Sequence, residues 1–146
     1  MVTIIPFKII NIDGQGFHLM IKVYINRKAA NLVIDTGASK TVFDKTRFDK
    51  YVNETDFETH DKLSTGLGTN SMQSHKTTIK KIKIGEAEIV NYEAILLDLS
   101  HVNNSYEQVG LHPIEGVLGS DILKDYNAVI DYEKKSLKLK FTKTKK

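Results

Sequence analysis

The residues best suited to chemistry in this sequence are Asp35, Thr36 and Gly37, which follow the apolar run from Leu32 to Ile34. The pattern predicts a β-strand that delivers a carboxylate into a tight glycine turn. Such a carboxylate can take a proton from water if a second, protonated carboxyl gives one to a substrate carbonyl. The tripeptide occurs once in the 146 residues. The second carboxyl is therefore expected from another copy of the chain.

The residues around the aspartate suit this chemistry. Two carboxyls held side by side share one proton and titrate as a unit. Gly37 fits because backbone N–H groups that approach a carboxylate leave no room for a Cβ. Thr36 offers a hydroxyl that can bond across a symmetric contact, and Ser39 can donate to an outer carboxylate oxygen. Ala38 offers no hydroxyl, so we expect this pair to be less acidic than one with Ser or Thr there.

Three other apolar runs end in an aspartate, but none continues with Thr and Gly. These runs end at Asp13, Asp98 and Asp131. Asp13 precedes a glycine, and Asp131 precedes Tyr132 to Lys135, a pattern typical of a hairpin turn. An ordinary junction between a strand and a turn explains these three aspartates. The same interpretation is open for Asp35 when its tripeptide is taken alone.

In the order of its motifs the chain resembles the retropepsin-type aspartic proteases, the single-lobe, homodimeric branch that includes the retroviral enzymes and bacterial relatives. The first shared block is Leu32 to Ser39, with its Asp-Thr-Gly. The second is Ser64 to Asn70, a polar stretch with glycines where the family carries its flap. The third is Gly116 to Leu123, which is similar to the family's apolar–apolar–Gly segment and the short helix after it. The resemblance covers nearly the whole chain and implies one domain, 1–146.

The resemblance also implies a set of site residues in three groups: the catalytic turn, the flap over the substrate, and a second apolar–glycine segment. The first group has Asp35, Thr36 and Gly37 as catalytic residues, with Ala38 and Ser39 supporting the turn; the flap group is Gly66, Leu67 and Gly68; the third group is Val117, Leu118 and Gly119. The flap stretch lacks an aromatic residue at its tip. Relative to the retroviral pattern the chain has two additions, Asp44 to Lys62 and His101 to Glu115, which are expected to enlarge or partly cover the cleft.

Composition is typical of a single globular domain. At 40% hydrophobic residues the chain can build a core without crosslinks. The absence of cysteine excludes thiol catalysis, cysteine-ligated zinc and disulfides. No apolar run is long enough to predict a membrane span, and the start, Met1 to Pro6, lacks a signal-peptide pattern. We expect a cytoplasmic protein, although a chain whose leader had been removed would look the same.

The net charge of +3 is distributed unevenly. Seven lysines lie between Lys134 and Lys146 without an acid, so the rest of the chain carries −4, the total of +3 less seven. Within this stretch Lys135 to Phe141 alternates polar and apolar residues, which predicts a half-exposed strand. Lysines on its outer face discourage pairing between sheet edges. We therefore expect no nucleic-acid partner and no membrane contact.

Strands dominate the predicted elements. Phe17 to Ile25 and Ala30 to Ile34 form a predicted hairpin that ends in the aspartate turn. Thr77 to Ile84 and Ile89 to Leu97 form a second hairpin around a glycine turn. The two hairpins resemble each other, and each is later followed by a turn with glycine. This indicates an internal duplication, with an apolar residue in place of Asp35 in the second copy.

Helical signals are scarce. Ser120 to Tyr126 predicts about two helical turns, and Thr41 to Tyr51 is expected to hold a short helical turn. The linker from His101 to Pro113 contains two asparagines and a serine in a row, which is typical of a surface loop. With the resemblance, these elements give an all-β fold, a single-lobe acid-protease barrel with one short helix after Gly116 to Gly119.

Other chemistry lacks a matching pattern. Gly37 to Thr41 lacks the glycines of a phosphate-binding loop, and the histidines lack metal-ligand spacing. We therefore expect no metal and no cofactor. The predicted function is an aspartic endopeptidase, active as a homodimer on an extended peptide. A non-catalytic peptide-binding or dimerisation module on the same fold is the alternative. The five histidines are His18, His60, His75, His101 and His112.

Overall fold

The computed structural model describes residues 1–12, 14, 16–51, 58–63 and 73–142, with the backbone alone for 58–63, 73 and 74. In these ranges the chain forms eleven strands, two α-helices and a 3-10 helix, and no helix is long and apolar enough to cross a bilayer. The strands are β1 (Val2–Pro6), β2 (Lys8–Asn11), β3 (Phe17–Ile25), β4 (Lys28–Ile34), β5 (Val42–Asp44), β6 (Glu58–Leu63), β7 (Gln73–Ile84), β8 (Ala87–Leu97), β9 (Gly116–Leu118), β10 (Val129–Asp131) and β11 (Ser136–Lys140). The helices are α1 (Ser100–Gln108) and α2 (Ser120–Asp125), and the 3-10 helix is Phe48–Lys50.

Six strands close into a barrel. Their order is β3-β4-β9-β5-β8-β7, and β7 returns to β3 where Tyr24 pairs with Lys83 and Ile25 with Ile82. β2 and β6 extend the sheet beyond this ring, and β1, β11 and β10 form a separate three-stranded sheet. The all-β, single-lobe barrel that the sequence predicts is confirmed, as is the short helix after Gly119.

The barrel is filled by alternate residues of its strands. Along β3 the side chains of Leu19, Ile21, Val23 and Ile25 are buried, while those between them are exposed or half-buried. This period of two is what a strand with one face in the core requires. Phe43 of β5 and Phe48 of the 3-10 helix are fully buried, with ring centroids 5.1 Å apart. The helical turn expected within 41–51 is therefore present and caps the core.

The strand β9 lies between β4 and β5, parallel to β4 and antiparallel to β5. The barrel has an approximate two-fold symmetry in which β3, β4 and β5 correspond to β7, β8 and β9 in turn. In each half the second strand pairs in parallel with the third strand of the other half, β4 with β9 and β8 with β5. This symmetry agrees with an internal duplication. The expectation that an apolar residue takes the place of Asp35 in the second copy is wrong, because Asp98 follows β8 as Asp35 follows β4.

Residues 100–108 form the helix α1, so the predicted surface loop is wrong there. The cause is tertiary packing, which overrides weak helix propensity. The buried Asn103 donates from Nδ2 to Asp44 Oδ2 at 2.9 Å and to the Ile114 carbonyl at 3.0 Å, and its Oδ1 accepts the Ile114 N–H at 2.7 Å. Asp44 has an exposed fraction of 0%. The Asn103 amide thus supplies the hydrogen bond to Oδ2 of this buried carboxylate, while the Thr46 N–H and hydroxyl and the Leu99 N–H donate to its Oδ1. The amide ties the helix to the barrel.

The described parts of the two additions contact each other through Glu115, which is 6% exposed. Its carboxylate lies 3.0 Å from Arg47 Nη2 and 3.3 Å from Lys50 Nζ. Glu115 Oε1 also accepts the Asn31 N–H of β4 at 2.7 Å. A buried carboxylate is stable only when paired and hydrogen-bonded. The two additions are therefore fastened to each other and to β4.

Candidate active site

The strand β4 ends in the aspartate turn, residues 35–39. Leu32, Val33 and Ile34 are buried, whereas Asp35, Thr36 and Gly37 are exposed. The Gly37 N–H donates to Asp35 Oδ1 at 2.9 Å, and the Ala38 N–H donates to the Asp35 carbonyl at 3.1 Å. A Cβ on Gly37 would lie 3.3 Å from Asp35 Oδ1, which is a tight contact. The strand thus presents a carboxylate to solvent in the glycine turn that the sequence predicts.

The segment Val117 to Gly119 lies directly behind this turn. The Asp35 N–H donates to the Leu118 carbonyl at 3.0 Å, and the Ser120 N–H donates to the Ala38 carbonyl at 2.7 Å. A Cβ on Gly119 would lie 2.5 Å from both C and O of Lys40. Only glycine allows the two backbones to approach this closely. The third sequence block is thus brought against the first.

A polar network anchors the other side of the turn. The Thr41 hydroxyl accepts the Gly119 N–H at 2.8 Å and donates to Asp121 Oδ1 at 2.8 Å. The Tyr92 hydroxyl donates to Asp121 Oδ2 at 2.6 Å. Burial raises the pKa of Tyr92, and its hydrogen bond to the Asp121 carboxylate raises it further. The phenol therefore keeps its proton at neutral pH and remains a donor.

The remaining predicted site residues are the hydroxyl residues of the turn and the residues of the flap, and the structure does not show all of them in contact with Asp35. Neither Thr36 nor Ser39 makes a side-chain hydrogen bond to another residue in the described ranges of its own chain. The bond expected from Ser39 to the carboxylate is therefore not formed within this protomer. Gly66, Leu67 and Gly68 lie outside the described residues, between the paired strands β6 and β7. The flap assignment therefore stays a prediction.

A pocket of about 370 Å³ opens beside Asp35 and Thr36. Two large aromatic side chains on its lining remain exposed, Phe17 at 64% and Tyr132 at 62%. The second addition reaches this pocket through Val102 and Ile114, and Val117 of β9 also lines it. Exposed aromatic side chains grouped around a carboxylate are typical of a surface that receives a ligand or another subunit.

His18 is a pocket residue that belongs to no motif in the sequence. Leu19 pairs with Ile34, so the preceding histidine lies beside the aspartate turn. Its Nδ1 is 2.6 Å from the Tyr106 hydroxyl of α1. Burial raises the pKa of Tyr106 to about 12, so this phenol keeps a proton that it can donate to the imidazole. Hairpin register was the only signal in the sequence that could have located His18.

Metal ligands do not converge in the part of the chain with described side chains. No three side chains among its His, Asp and Glu residues lie close enough to hold an ion.

Comparisons with known proteins agree with this geometry. The sequence profile of a family described as aspartyl protease matches residues 21–122. A search of curated proteins found no match. Among solved structures, a retropepsin-like aspartic protease from Rickettsia conorii has a TM-score of 0.59 at 21% identity, covering 95% of this chain and 90% of that chain.

Two further structures share the fold. The EIAV protease, solved with an inhibitor, has a TM-score of 0.52 at 23% identity, with 73% of this chain and 85% of that chain covered. The retroviral protease-like domain of Ddi1 from Leishmania major has a TM-score of 0.57 at 13% identity, with 86% and 94% covered.

Proposed function

The chain belongs to the aspartyl protease family, and from that premise we propose that it is an aspartic endopeptidase with a catalytic centre shared by two identical subunits. Asp35 of each subunit supplies one carboxyl. The observation that carries this proposal is the Asp35 carboxylate, exposed at the end of a buried strand in a chain with one Asp-Thr-Gly. A two-fold axis beside this turn would place both carboxyls together.

In the proposed reaction the pair holds one proton between its two carboxyls. The charged carboxylate takes a proton from water, whose oxygen attacks the peptide carbonyl carbon, while the other carboxyl protonates the carbonyl oxygen. The newly charged carboxylate then removes a proton from the tetrahedral intermediate, and the other carboxyl protonates the nitrogen. The C–N bond breaks, an acid and an amine leave, and the pair again holds one proton.

The neighbouring residues would support this reaction. The Gly37 N–H already donates to Asp35 Oδ1, which orients the carboxyl and favours its charged form. The Thr36 hydroxyl is exposed and has no partner in the described ranges of its own chain, and it would bond to the other subunit across the axis. Gly66 to Gly68 would close over an extended peptide that pairs by its backbone. The pocket of Phe17 and Tyr132 would contact either the partner subunit or the substrate.

The test is the variant Asp35→Asn, assayed against a diverse peptide library. We expect cleavage to fall by roughly a hundredfold to ten-thousandfold because proton transfer is lost. The molecular mass in solution should stay that of a dimer. A statine-type transition-state analogue should inhibit the wild-type protein.

Asp98→Asn is the matched control. Asp98 follows β8 as Asp35 follows β4, and it accepts the Ser100 N–H at 2.9 Å as Asp35 accepts that of Gly37. This variant should cleave like the wild type. If Asp35→Asn cleaves at the wild-type rate, or if the wild-type protein cleaves no peptide of the library, the endopeptidase proposal is wrong.

A further inference from the structure

A second surface feature lies away from the aspartate turn. It is a groove of about 590 Å³ between β1 and the outer side of β3 and β7, which we call the basic groove. Leu19 of β3 pairs with Ile34, the last residue of β4 before the aspartate turn, whereas Tyr24 of β3 lines the groove. Five residues of strand separate Leu19 from Tyr24, a distance of about 16 Å. The proposed catalytic chemistry therefore leaves this groove without a role.

Cations outnumber acids among the residues that line the basic groove. Lys22, Arg27, Lys81 and Lys83 line it, with Glu88 as its one acid. Glu88 lies 3.7 Å from Lys81. The three remaining cations have no ion-pair partner among the described residues. Like charges that line one groove repel one another, so an anionic partner would relieve the repulsion.

The backbone at Arg27 gives an independent indication. Asn26 and Arg27 form the two-residue loop between β3 and β4, with φ of 48° and 74°. A loop with both φ values positive favours glycine at its second position. A residue with a Cβ costs roughly 1–2 kcal/mol there. A strained arginine at the rim of a basic groove points to a use for its charge.

The strand β1 offers a free backbone edge to this groove. Met1 and Phe141 exchange both of their backbone hydrogen bonds, at 2.8 and 2.9 Å. Residues therefore alternate along β1, with Thr3 and Ile5 bonded to β11 and the peptide groups of Ile4 pointing to the opposite side. Among the described strands, β11 is the one neighbour of β1. Ile4 lines the groove, and its side chain is 64% exposed.

From these observations we propose that the basic groove binds an extended acidic segment of a partner protein, which adds as a strand beside β1. The backbone of the segment pairs with Ile4, and its carboxylates face Lys22, Lys83 and Arg27. A nucleic acid would satisfy the cations, but it has no regular row of amide groups to pair with a strand edge. The combination of free edge and positive charge therefore favours an acidic peptide.

The test is fluorescence anisotropy with a labelled peptide of alternating glutamate and valine. The protein is the full chain carrying Asp35→Asn, so that cleavage plays no part and failure of the endopeptidase proposal does not affect the result. We expect saturable binding that weakens as ionic strength rises. The double variant Lys22→Gln, Lys83→Gln should bind about fivefold more weakly, from the loss of two ion pairs.

Two further variants distinguish binding in the groove from attraction to the overall charge. Lys124→Gln with Lys134→Gln removes the same charge at exposed positions elsewhere and should leave binding unchanged. Arg27→Gly places glycine where the turn favours it, so it should fold at least as stably while weakening binding. If both lysine pairs weaken binding equally, attraction is only to net charge and the proposed site is wrong.

The backbone pairing has its own probe. The peptide is N-methylated at alternate residues, in each of the two possible sets, which preserves its charge but removes donors along one edge. One of the two sets should lose binding. Equal binding by both sets, or tighter competition from a thymidine oligonucleotide of equal charge, would overturn strand addition by an acidic peptide.

Discussion

Gly119 sets how closely β9 approaches the aspartate turn. A Cβ there would meet C and O of Lys40 at 2.5 Å and the Ala38 carbonyl at 2.9 Å. These are backbone atoms, so they cannot rotate away as the end of a flexible side chain would. The Ser120 N–H holds the Ala38 carbonyl at 2.7 Å and fixes this separation. The position of Asp35 therefore depends on the absence of one methyl group at the residue that joins β9 to α2.

Replacing Gly119 by alanine should move the aspartate turn. We expect Gly119→Ala to lower the free energy of unfolding by about 1–3 kcal/mol through overpacking. Cleavage should fall further than stability alone explains, because a small displacement of a reacting group is costly. Urea unfolding and peptide cleavage measure the two effects. Ser120→Ala, one residue along, is the control, and wild-type values for Gly119→Ala would contradict this account.

Residue types alone indicated part of the candidate site. Asp35, Thr36 and Gly37 were recognisable because their chemistry is local, a carboxylate and a glycine in consecutive positions. His18 and Asp121 were not, because each acquires its role from a residue far along the chain. His18 bonds to Tyr106, 88 positions away, and Asp121 bonds to Thr41, 80 positions away. Such contacts depend on how the two helices pack against the barrel, which the local sequence pattern does not show.

At the scale of elements, α1 shows how packing produces structure that propensity opposes. Its sequence contains two asparagines and two serines, which are weak helix formers. Tyr106 is almost completely buried, and the Asn103 amide is enclosed by Asp44 and Ile114. The sequence alone favoured a polar loop because these partners lie in β5 and in the segment before β9.

Two adjacent asparagines of α1, one buried and one exposed, test whether the buried amide holds the helix in place. Asn103→Ala leaves the Asp44 carboxylate and both Ile114 backbone groups with fewer partners, so we expect a loss of about 2–4 kcal/mol in the free energy of unfolding. Asn104→Ala changes the exposed neighbour and should cost little. Denaturant unfolding of both variants measures the difference. Equal stability of the two variants would show that the buried amide is not what holds the helix.

Strands were predicted more successfully than their arrangement. The hairpin β3–β4, the hairpin β7–β8 and the turn from Asp131 to Ser136 follow from alternation and glycine or aspartate turns, and all three are confirmed. The insertion of β9 between β4 and β5 was not predictable from its three residues. A short apolar segment carries no signal for parallel pairing with a strand about 80 positions earlier.

At the scale of the whole molecule, buried phenols link stability to alkaline pH. Burial raises the pKa of both Tyr51 and Tyr106 to about 12, against an ordinary value of 10. A group whose folded pKa is raised contributes stability that is complete below its unfolded pKa and is lost as the pH rises through the folded pKa. The free energy of unfolding should therefore fall between about pH 10 and 12, by up to about 1.4 kcal/mol per pH unit for each phenol.

Urea unfolding across this range, with Tyr106→Phe beside the wild type, measures the contribution of one phenol. The slope should be smaller in the variant because phenylalanine has no proton to lose. Tyr132→Phe, which changes an exposed ring, should leave the wild-type slope unchanged. The same slope in all three proteins would contradict the assignment to buried phenols.

The proposed chemistry also belongs to the whole assembly, since each chain contributes one Asp-Thr-Gly. The exposed aromatic side chains Phe17 and Tyr132 lie around that turn, where a second subunit would cover them. β10, an edge strand of the three-stranded sheet, reaches the same pocket, because its residue Ile130 lines it. Activity should therefore depend on association, and the specific activity should fall when the protein is diluted below its dimerisation constant.

Mixing subunits separates a shared centre from a monomeric one. Equal amounts of wild type and Asp35→Asn, unfolded and refolded together, should pair at random. Half of the wild-type chains then have a partner without a catalytic carboxyl, so cleavage should fall to about half of that from the same amount of wild type alone. Adding Asp98→Asn instead should raise cleavage, because its subunits keep Asp35. If refolding with Asp35→Asn leaves cleavage unchanged, each chain works by itself and the two-subunit centre is wrong.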